Sequence, residues 1–239
     1  KANNIAIKGI YWQRNKDKSR PVVITSAIEH QAILEPAQWL AEHQGAQHIT
    51  IPVTEDGVIS LDALQLLVTE HGDSIALISV MHSNNETGVM QPIADVVEIA
   101  GDIPVHSDAI QSWNKVAFSY KDLGLFAATL SGHKVGGPIG IGILVLQRGI
   151  DIPALIHGGG QEREIRSGTV NAPSIVALAT AISKSNYSAH DVAALRHSFE
   201  RGISQVLPDA VINGADSDRL PGISDRKSTR LNSSHANVS

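Results

Sequence analysis

Short runs of aliphatic and β-branched residues alternate along much of the chain with segments of helical periodicity. The apolar runs lie at 22–25, 48–53, 75–80, 104–107, 127–130 and 141–146. Helical segments lie between several of these runs, at 32–42, at 61–70 and between Pro92 and Gly101. Ser60 can cap the second segment and Gly72 can end it, and Pro36 is tolerable only near the first turn of the first segment. This alternation is typical of a mainly parallel sheet that is covered by helices on both faces. The sequence therefore predicts an α/β fold of this architecture.

The pattern changes after Thr169, where helical segments follow one another at 172–183 and from Ser188 onward. We predict a large domain over residues 1–185 that is incomplete at its N-terminus. Residues 186–224 are then the linker and first helix of a truncated small C-terminal domain. Residues 225–239 are polar and without period, which is typical of a disordered tail. They also resemble translated adapter sequence, so we predict that they are non-native or disordered.

Composition narrows the classes of partner. The net charge is -5 and no basic stripe is present, which argues against nucleic acid as the main partner. No apolar run approaches the roughly 18 residues that a membrane-spanning helix needs, and no secretory signal pattern is present. Cysteine is absent, so no disulfide framework can form. We therefore expect a cytoplasmic protein without membrane contact.

Polar residues follow two of the predicted strands at the points where the strands end. Sheets of this kind bind ligands at the carboxyl ends of their strands. Asp108 and Gln111 follow one strand, and Ser131, His133 and Lys134 follow another. A lysine amine, a carboxylate and phosphate donors are the groups that a pyridoxal 5'-phosphate (PLP) enzyme needs. Burial at this edge would also favour the free amine of Lys134.

Several motifs in register resemble the cysteine desulfurases of the NifS/IscS type, within the class V aminotransferase group of fold-type I PLP enzymes. The order and spacing of the motifs agree from about Ala2 to Ala181. The motifs are Glu29-His30-Gln31-Ala32-Ile33, Asn84-Asn85-Glu86-Thr87-Gly88, His106-Ser107-Asp108-Ala109-Ile110-Gln111, Ser131-Gly132-His133-Lys134, Gly136-Gly137-Pro138-Ile139-Gly140, His157-Gly158-Gly159-Gly160-Gln161-Glu162 and Arg166-Ser167-Gly168-Thr169. The N-terminal Ala2-Asn3-Asn4 resembles the end of the family's phosphate loop.

The resemblance implies roles around the cofactor ring. Lys134 would bind PLP covalently and act as a catalytic residue. His30, the second catalytic residue, would stack on the ring and move protons. Asp108 would pair with the pyridine nitrogen, Gln111 would hydrogen-bond the ring hydroxyl, and Asn85 would lie beside cofactor and substrate.

The resemblance also implies how the phosphate is held and what the enzyme does. Ser131 and His133 would bind the phosphate, and Thr169 would reach the phosphate of the neighbouring subunit, which implies a homodimer. The family removes sulfur from L-cysteine and leaves alanine and an enzyme persulfide. The sulfur passes to an acceptor or scaffold protein for iron–sulfur clusters and other thio-cofactors.

The chain departs from the family in having no cysteine to carry the persulfide. In the family, that cysteine and the arginine that binds the substrate carboxylate lie beyond the position that matches Ser224. We therefore interpret the chain as an internal fragment of a desulfurase and predict that it cannot form persulfide from L-cysteine.

Other functions stay open from the sequence alone. One is a different class V PLP enzyme, such as a selenocysteine lyase or an aminotransferase, or a desulfurase-like protein that lacks the cysteine by nature. Another is a metal-binding module, which the 11 histidines suggest. The histidines lack regular ligand spacing and no His-Glu-x-x-His motif occurs, so we predict no metal site.

Overall fold

The computed structural model describes residues 1–228, and a six-stranded sheet forms the centre of this part of the chain. The strands are β1 (Val22–Ser26), β2 (Gln47–Ile51), β3 (Ile75–Ser79), β4 (Val105–Asp108), β5 (Ala127–Ser131) and β6 (Gly142–Leu146). They are arranged in the order β2-β1-β3-β4-β5-β6, and the first five are parallel. The predicted α/β class with a mainly parallel sheet is confirmed.

Four helices cover the two faces of this sheet. They are α1 (Ala2–Arg14), α2 (Gln31–Gln44), α3 (Leu61–His71) and α4 (Ile93–Ala100). Helices α1 and α2 share one buried apolar cluster, and α3 and α4 share another. Successive strand residues point to opposite faces, so Val23 and Leu77 join the first cluster and Ile24 and Ile78 the second. This is why the buried strands are apolar without alternation.

Local signals set most helix ends. Ser60 precedes α3 and its side chain accepts a hydrogen bond from the Ala63 N–H at 3.2 Å, and Gly72 follows the helix, as predicted. Pro36 was expected only near the first turn of a helix, but it lies in the second turn of α2, which continues to Gln44. Pro36 is buried. Its packing offsets the hydrogen bond that its missing N–H cannot make.

Strand β6 differs from the other five because it runs antiparallel to β5. Only residues 132–141 separate the two strands. A parallel return needs a crossover connection of a dozen or more residues, usually helical, so this short connection permits only an antiparallel pair.

The remainder of the described chain contains α5 (Ala172–Ser183), α6 (Ala189–Val206), β7 (Ala210–Ile212) and β8 (Arg226–Ser228), and β7 pairs with β8 antiparallel. Strand β8 begins inside the stretch predicted to be non-native or disordered, and the rest of that prediction lies outside the described residues. The domain division near residue 185 stays a prediction. None of the helices in residues 1–228 is long and apolar enough to cross a membrane.

Candidate active site

The carboxyl ends of the parallel strands bring most of the predicted site residues to one edge of the sheet. Asp108 is the last residue of β4 and Ser131 the last of β5. His30 lies in the loop after β1, and Asn85 in the loop after β3. Residues after parallel strands emerge at the same edge, so the topology gathers positions that are far apart in sequence.

Asp108 is buried, and its two carboxyl oxygens accept from different donors. The Ile110 N–H donates to Oδ1 at 2.9 Å, and the Asn3 side-chain amide donates to Oδ2 at 2.8 Å. Burial raises the pKa of Asp108, while these two hydrogen bonds and the charge of the nearby His30 act to lower it. A cation placed beside Asp108 would therefore lower the pKa of this carboxyl strongly.

His30 is the N-cap residue of α2, and its ring Nδ1 accepts from the Ala32 N–H at 3.0 Å. The neutral ring must then carry its proton on Nε2. The ring is exposed. A helix cap therefore sets the tautomer of the residue for which the family resemblance implies a role in proton transfer.

Gln111 and Lys134 both influence Lys115, a residue for which the sequence predicted no role. Lys115 lies one helical turn after Gln111 and donates from Nζ to Gln111 Oε1 at 3.3 Å. Burial, and in second place the positive charge of Lys134, lower the pKa of Lys115. The lysine after β5 and the amide after β4 thus belong to one neighbourhood.

Ser131 and His133 are in direct contact, with Ser131 Oγ 2.8 Å from His133 Nδ1. Lys134 ends the 3₁₀ helix that follows β5 and is exposed. The described residues therefore do not bury Lys134, contrary to the expectation from its place at a strand end. The loop leaves its amine open to solvent and to ligand.

Two glycines of this loop allow close packing. A Cβ on Gly132 would lie 2.5 Å from Ile141 Cγ2, and one on Gly137 would lie 2.8 Å from Leu178 Cδ1. The absence of a side chain at these two positions lets the loop pack against the residue that precedes β6 and against α5.

The remaining two predicted residues lie on loops. Asn85 is half-buried in the turn after β3, and Thr169 is exposed between β6 and α5. Thr169 follows a loop that is closed by the Gly168 N–H, which donates to Gln161 Oε1 at 2.9 Å. The roles predicted for Asn85 and Thr169 stay predictions.

Three buried residues near the site had no assigned role in the sequence. Glu29 is buried beside His30, and burial raises its pKa to about 8. Its Oε1 accepts from Ser26 Oγ at 2.7 Å and from the Met81 N–H, as the carbonyl oxygen of a protonated carboxyl can. Asn84 donates to the Ile28 carbonyl at 3.2 Å and ties the loop of Asn85 to that of His30.

Asn3 is the third, at the first turn of α1. Asn3 belongs to a motif that resembles the end of a phosphate loop, and this resemblance gave no indication that Asn3 contacts Asp108. The only sequence signal for these three residues was that each belongs to a motif shared with the family. Their burial depends on the tertiary structure and could not be predicted from the motifs.

Within residues 1–228, no group of three or more histidine, aspartate or glutamate side chains could hold a metal ion. The groups at the sheet edge fit PLP in their chemistry instead. They comprise a buried carboxyl for a ring nitrogen, an amide for a ring hydroxyl, a hydroxyl–imidazole pair for a phosphate and an accessible amine. These groups are compatible with a PLP-binding site at the carboxyl edge of a parallel sheet.

Comparison with known proteins identifies the family. The chain belongs to the aminotransferase class-V family, whose model matches residues 1–219. Members of this family are PLP-dependent.

Among its relatives is an IscS-like cysteine desulfurase of Mycobacterium tuberculosis, 40% identical over 229 residues, which cover 92% of this chain and 58% of the relative. The cysteine desulfurase NifS of Azotobacter vinelandii is 38% identical over 208 residues, which cover 84% of this chain and 51% of the relative. The chain thus spans little more than half the length of these relatives.

Solved structures agree. A NifS-like protein superposes with a TM-score of 0.82 at 36% identity, covering 92% of this chain and 60% of that protein. The structure of SspA in complex with cysteine superposes with a TM-score of 0.79 at 35% identity, covering 92% and 61%.

Proposed function

We propose that this chain is the cofactor-binding part of a PLP-dependent cysteine desulfurase, which removes sulfur from L-cysteine. The observation that carries the proposal is the gathering of Asp108, Gln111, Ser131, His133 and Lys134 at one sheet edge. The relatives named as cysteine desulfurases and the structural similarity to SspA, which was solved in complex with cysteine, support the choice of substrate.

The residues around Lys134 divide the work of binding in this proposal. Lys134 supplies the amine that holds the cofactor, and its exposure keeps that amine accessible. Asp108 pairs with the protonated ring nitrogen, and Gln111 donates to the ring hydroxyl. When bound, the cofactor withdraws electrons from the substrate carbon. The Ser131–His133 pair holds the phosphate.

His30 and Asn85 act on the substrate side. The His30 Nδ1 is occupied by the Ala32 N–H, so His30 exchanges protons through Nε2. His30 also stacks on the ring, and Asn85 contacts cofactor and substrate.

The proposal extends to a homodimer in which Thr169 reaches the phosphate site of the neighbouring subunit. The exposure of Thr169 on a closed loop is compatible with that role. In the parent protein a sulfur-acceptor or scaffold protein completes the transfer. Cytoplasmic location stays a prediction.

The absence of cysteine limits what this chain can do by itself. A persulfide needs a thiolate to accept the sulfur, so we expect no persulfide and no alanine from L-cysteine with the purified chain and PLP. Production of alanine by that mixture would contradict this expectation.

PLP titration of the purified chain tests the proposed function. We expect an absorbance band near the visible that is lost in Lys134→Ala. The matched control is Lys121→Ala, which removes an exposed lysine that precedes β5 instead of following it, and which should keep the band. Absence of the band from the unsubstituted chain, together with tightly bound zinc, would favour the metal-binding alternative.

A further inference from the structure

A chain of hydrogen bonds connects β3, β4, β5 and α1 beneath the site and ends at Asp108. Ser79 Oγ lies 2.9 Å from His106 Nδ1, and His106 Nε2 lies 3.3 Å from Thr129 Oγ1. The Thr129 hydroxyl donates to Asn3 Oδ1, and Asn3 Nδ2 donates to Asp108 Oδ2 at 2.8 Å. All five residues are buried, with exposures of 6% or less.

The direction of every hydrogen bond in this chain is determined by its neighbours. An ionised carboxylate only accepts, so the Asn3 amide must present its NH₂ group to Asp108 and its oxygen to Thr129. The single hydroxyl proton of Thr129 is then used on Asn3, so Thr129 Oγ1 accepts from His106 Nε2–H. This leaves His106 Nδ1 to accept from Ser79.

The histidine in the middle of the chain can keep this arrangement because it stays neutral. Burial lowers the pKa of His106 to about 3, so its ring carries one proton at neutral pH. That proton lies on Nε2, because Nδ1 accepts from the Ser79 hydroxyl. The series of hydrogen bonds therefore has a single donor-to-acceptor direction from β3 to α1.

We propose that Asn3 is a positioning residue for Asp108, and that Thr129 and His106 fix its amide so that a donor always faces Oδ2 of the carboxylate. This inference rests on the proposed role of Asp108 at the ring nitrogen. With the Ile110 N–H on Oδ1, the Asn3 amide gives each carboxyl oxygen one donor. Two donors favour the ionised carboxylate, which is the form that pairs with a protonated ring nitrogen.

The first test uses the chain without cofactor and therefore does not depend on PLP binding. Thr129→Val replaces the hydroxyl by a methyl group of nearly equal volume and releases the Asn3 amide. We expect NMR titration of the Asp108 carboxyl carbon to show a higher pKa than in the unsubstituted chain. Asn3→Leu removes the donor itself and should raise the pKa of Asp108 at least as far.

The matched control is Thr25→Val. Thr25 is buried in β1, and its Oγ1 lies 2.9 Å from His48 Nε2. This substitution removes a Thr–His hydrogen bond of the same type that does not lead to Asp108. It should therefore leave the pKa of Asp108 unchanged. The conservative Thr129→Ser keeps a hydroxyl and should restore the value of the unsubstituted chain.

The second test measures PLP binding. If the released Asn3 amide turns away, Asp108 loses one hydrogen bond to its charged form, which corresponds to about a tenfold larger dissociation constant for PLP. We expect this increase for Thr129→Val and not for Thr25→Val. Failure of the unsubstituted chain to bind PLP would count against the proposed function and leave the NMR test to decide on Asn3. An unchanged pKa of Asp108 in both Thr129→Val and Asn3→Leu, or an equal rise in Thr25→Val, would overturn the positioning role.

Discussion

The part of the molecule up to β5 and the part after it are packed to very different degrees. Every residue of β1, β3 and β4 is buried, whereas β6 contains no buried residue. Helix α5 buries only Leu178, and α6 buries only Glu200. Large apolar side chains are exposed in the second part, among them Ile139 at 89%, Val206 at 78% and Leu195 at 71%.

The difference shows where the described chain stabilises itself and where it offers surface. The parallel sheet and α1–α4 enclose two apolar clusters, which supply the main hydrophobic contribution to folding. Apolar surface on the second part is the kind that marks an interaction site. The candidate active site lies at the boundary, with Asp108 on the packed side and Lys134 on the open side.

The largest effect is expected in the packed part. Leu77→Ala removes a fully buried side chain from β3 and should lower the free energy of unfolding by about 3 kcal/mol, because it leaves a cavity. Urea unfolding measures the loss. Leu66→Ala, at a position on α3 that is 69% exposed, is the control. Equal losses in the two variants would contradict the described packing.

An intermediate effect is expected at the ion pair between Arg219 and Glu200 of α6, which is well shielded from solvent. Arg219 donates to both carboxylate oxygens of Glu200, at 2.9 and 3.2 Å. Arg219→Met leaves the carboxylate without these donors and should cost about 2 kcal/mol.

Hydrogen exchange locates this loss within the chain. In Arg219→Met, the amides of α6 should exchange faster while those of β3 keep their protection, because α6 contributes no side chain to the two buried apolar clusters that contain β3. Arg201→Met, at an exposed position of the same helix, is the control and should change neither. Faster exchange in β3 would mean that the two parts unfold as one unit.

Per pH unit, a smaller effect is expected from Glu29. Burial raises the pKa of Glu29 from 4.5 to about 8, so between these values the folded chain holds a proton that the unfolded chain has released. The contribution of Glu29 to the free energy of unfolding is therefore fully present below pH 4.5 and decreases as the pH rises towards 8. The slope is at most about 1.4 kcal/mol per pH unit.

Glu29→Gln should remove this part of the pH dependence. Urea unfolding between pH 5 and 8 measures the slope of the free energy of unfolding against pH, and the variant should lose the slope that corresponds to about one proton. Glu42→Gln, which changes an exposed residue of α2, should leave the slope as it is. His106 acts in the opposite direction, because burial lowers its pKa from 6.5 to about 3. Its stabilising contribution is lost as the pH falls through that range.

The smallest effect is expected on the open surface of α6. Leu195→Ser should change the free energy of unfolding by no more than about 0.5 kcal/mol, since the side chain is already 71% exposed. The same substitution should reduce self-association if this surface contacts a second copy. Sedimentation at several concentrations measures that change, and a large loss of stability would show that Leu195 is packed.

Much of the fold could be predicted from local patterns. Apolar runs at 22–25, 75–80 and 127–130 became β1, β3 and β5, and the cap signals of Ser60, Gly101 and Ser188 agree with the ends of α3, α4 and α6. Such signals act within a few residues, so they can be recognised without the fold. Strands β7 and β8 were not predicted, because each has only three residues and depends on its partner.

The sequence by itself determined the alternation of strands and helices. Its motifs also identified the polar residues at the strand ends. Only the tertiary structure decided that β6 is antiparallel, that Lys134 is exposed, and that Asn3 contacts Asp108 across 105 positions. The physical reason is the distance along the sequence over which each interaction acts. Propensity and caps depend on neighbours along the chain, whereas burial and hydrogen-bond direction depend on groups that meet only after the sheet has assembled.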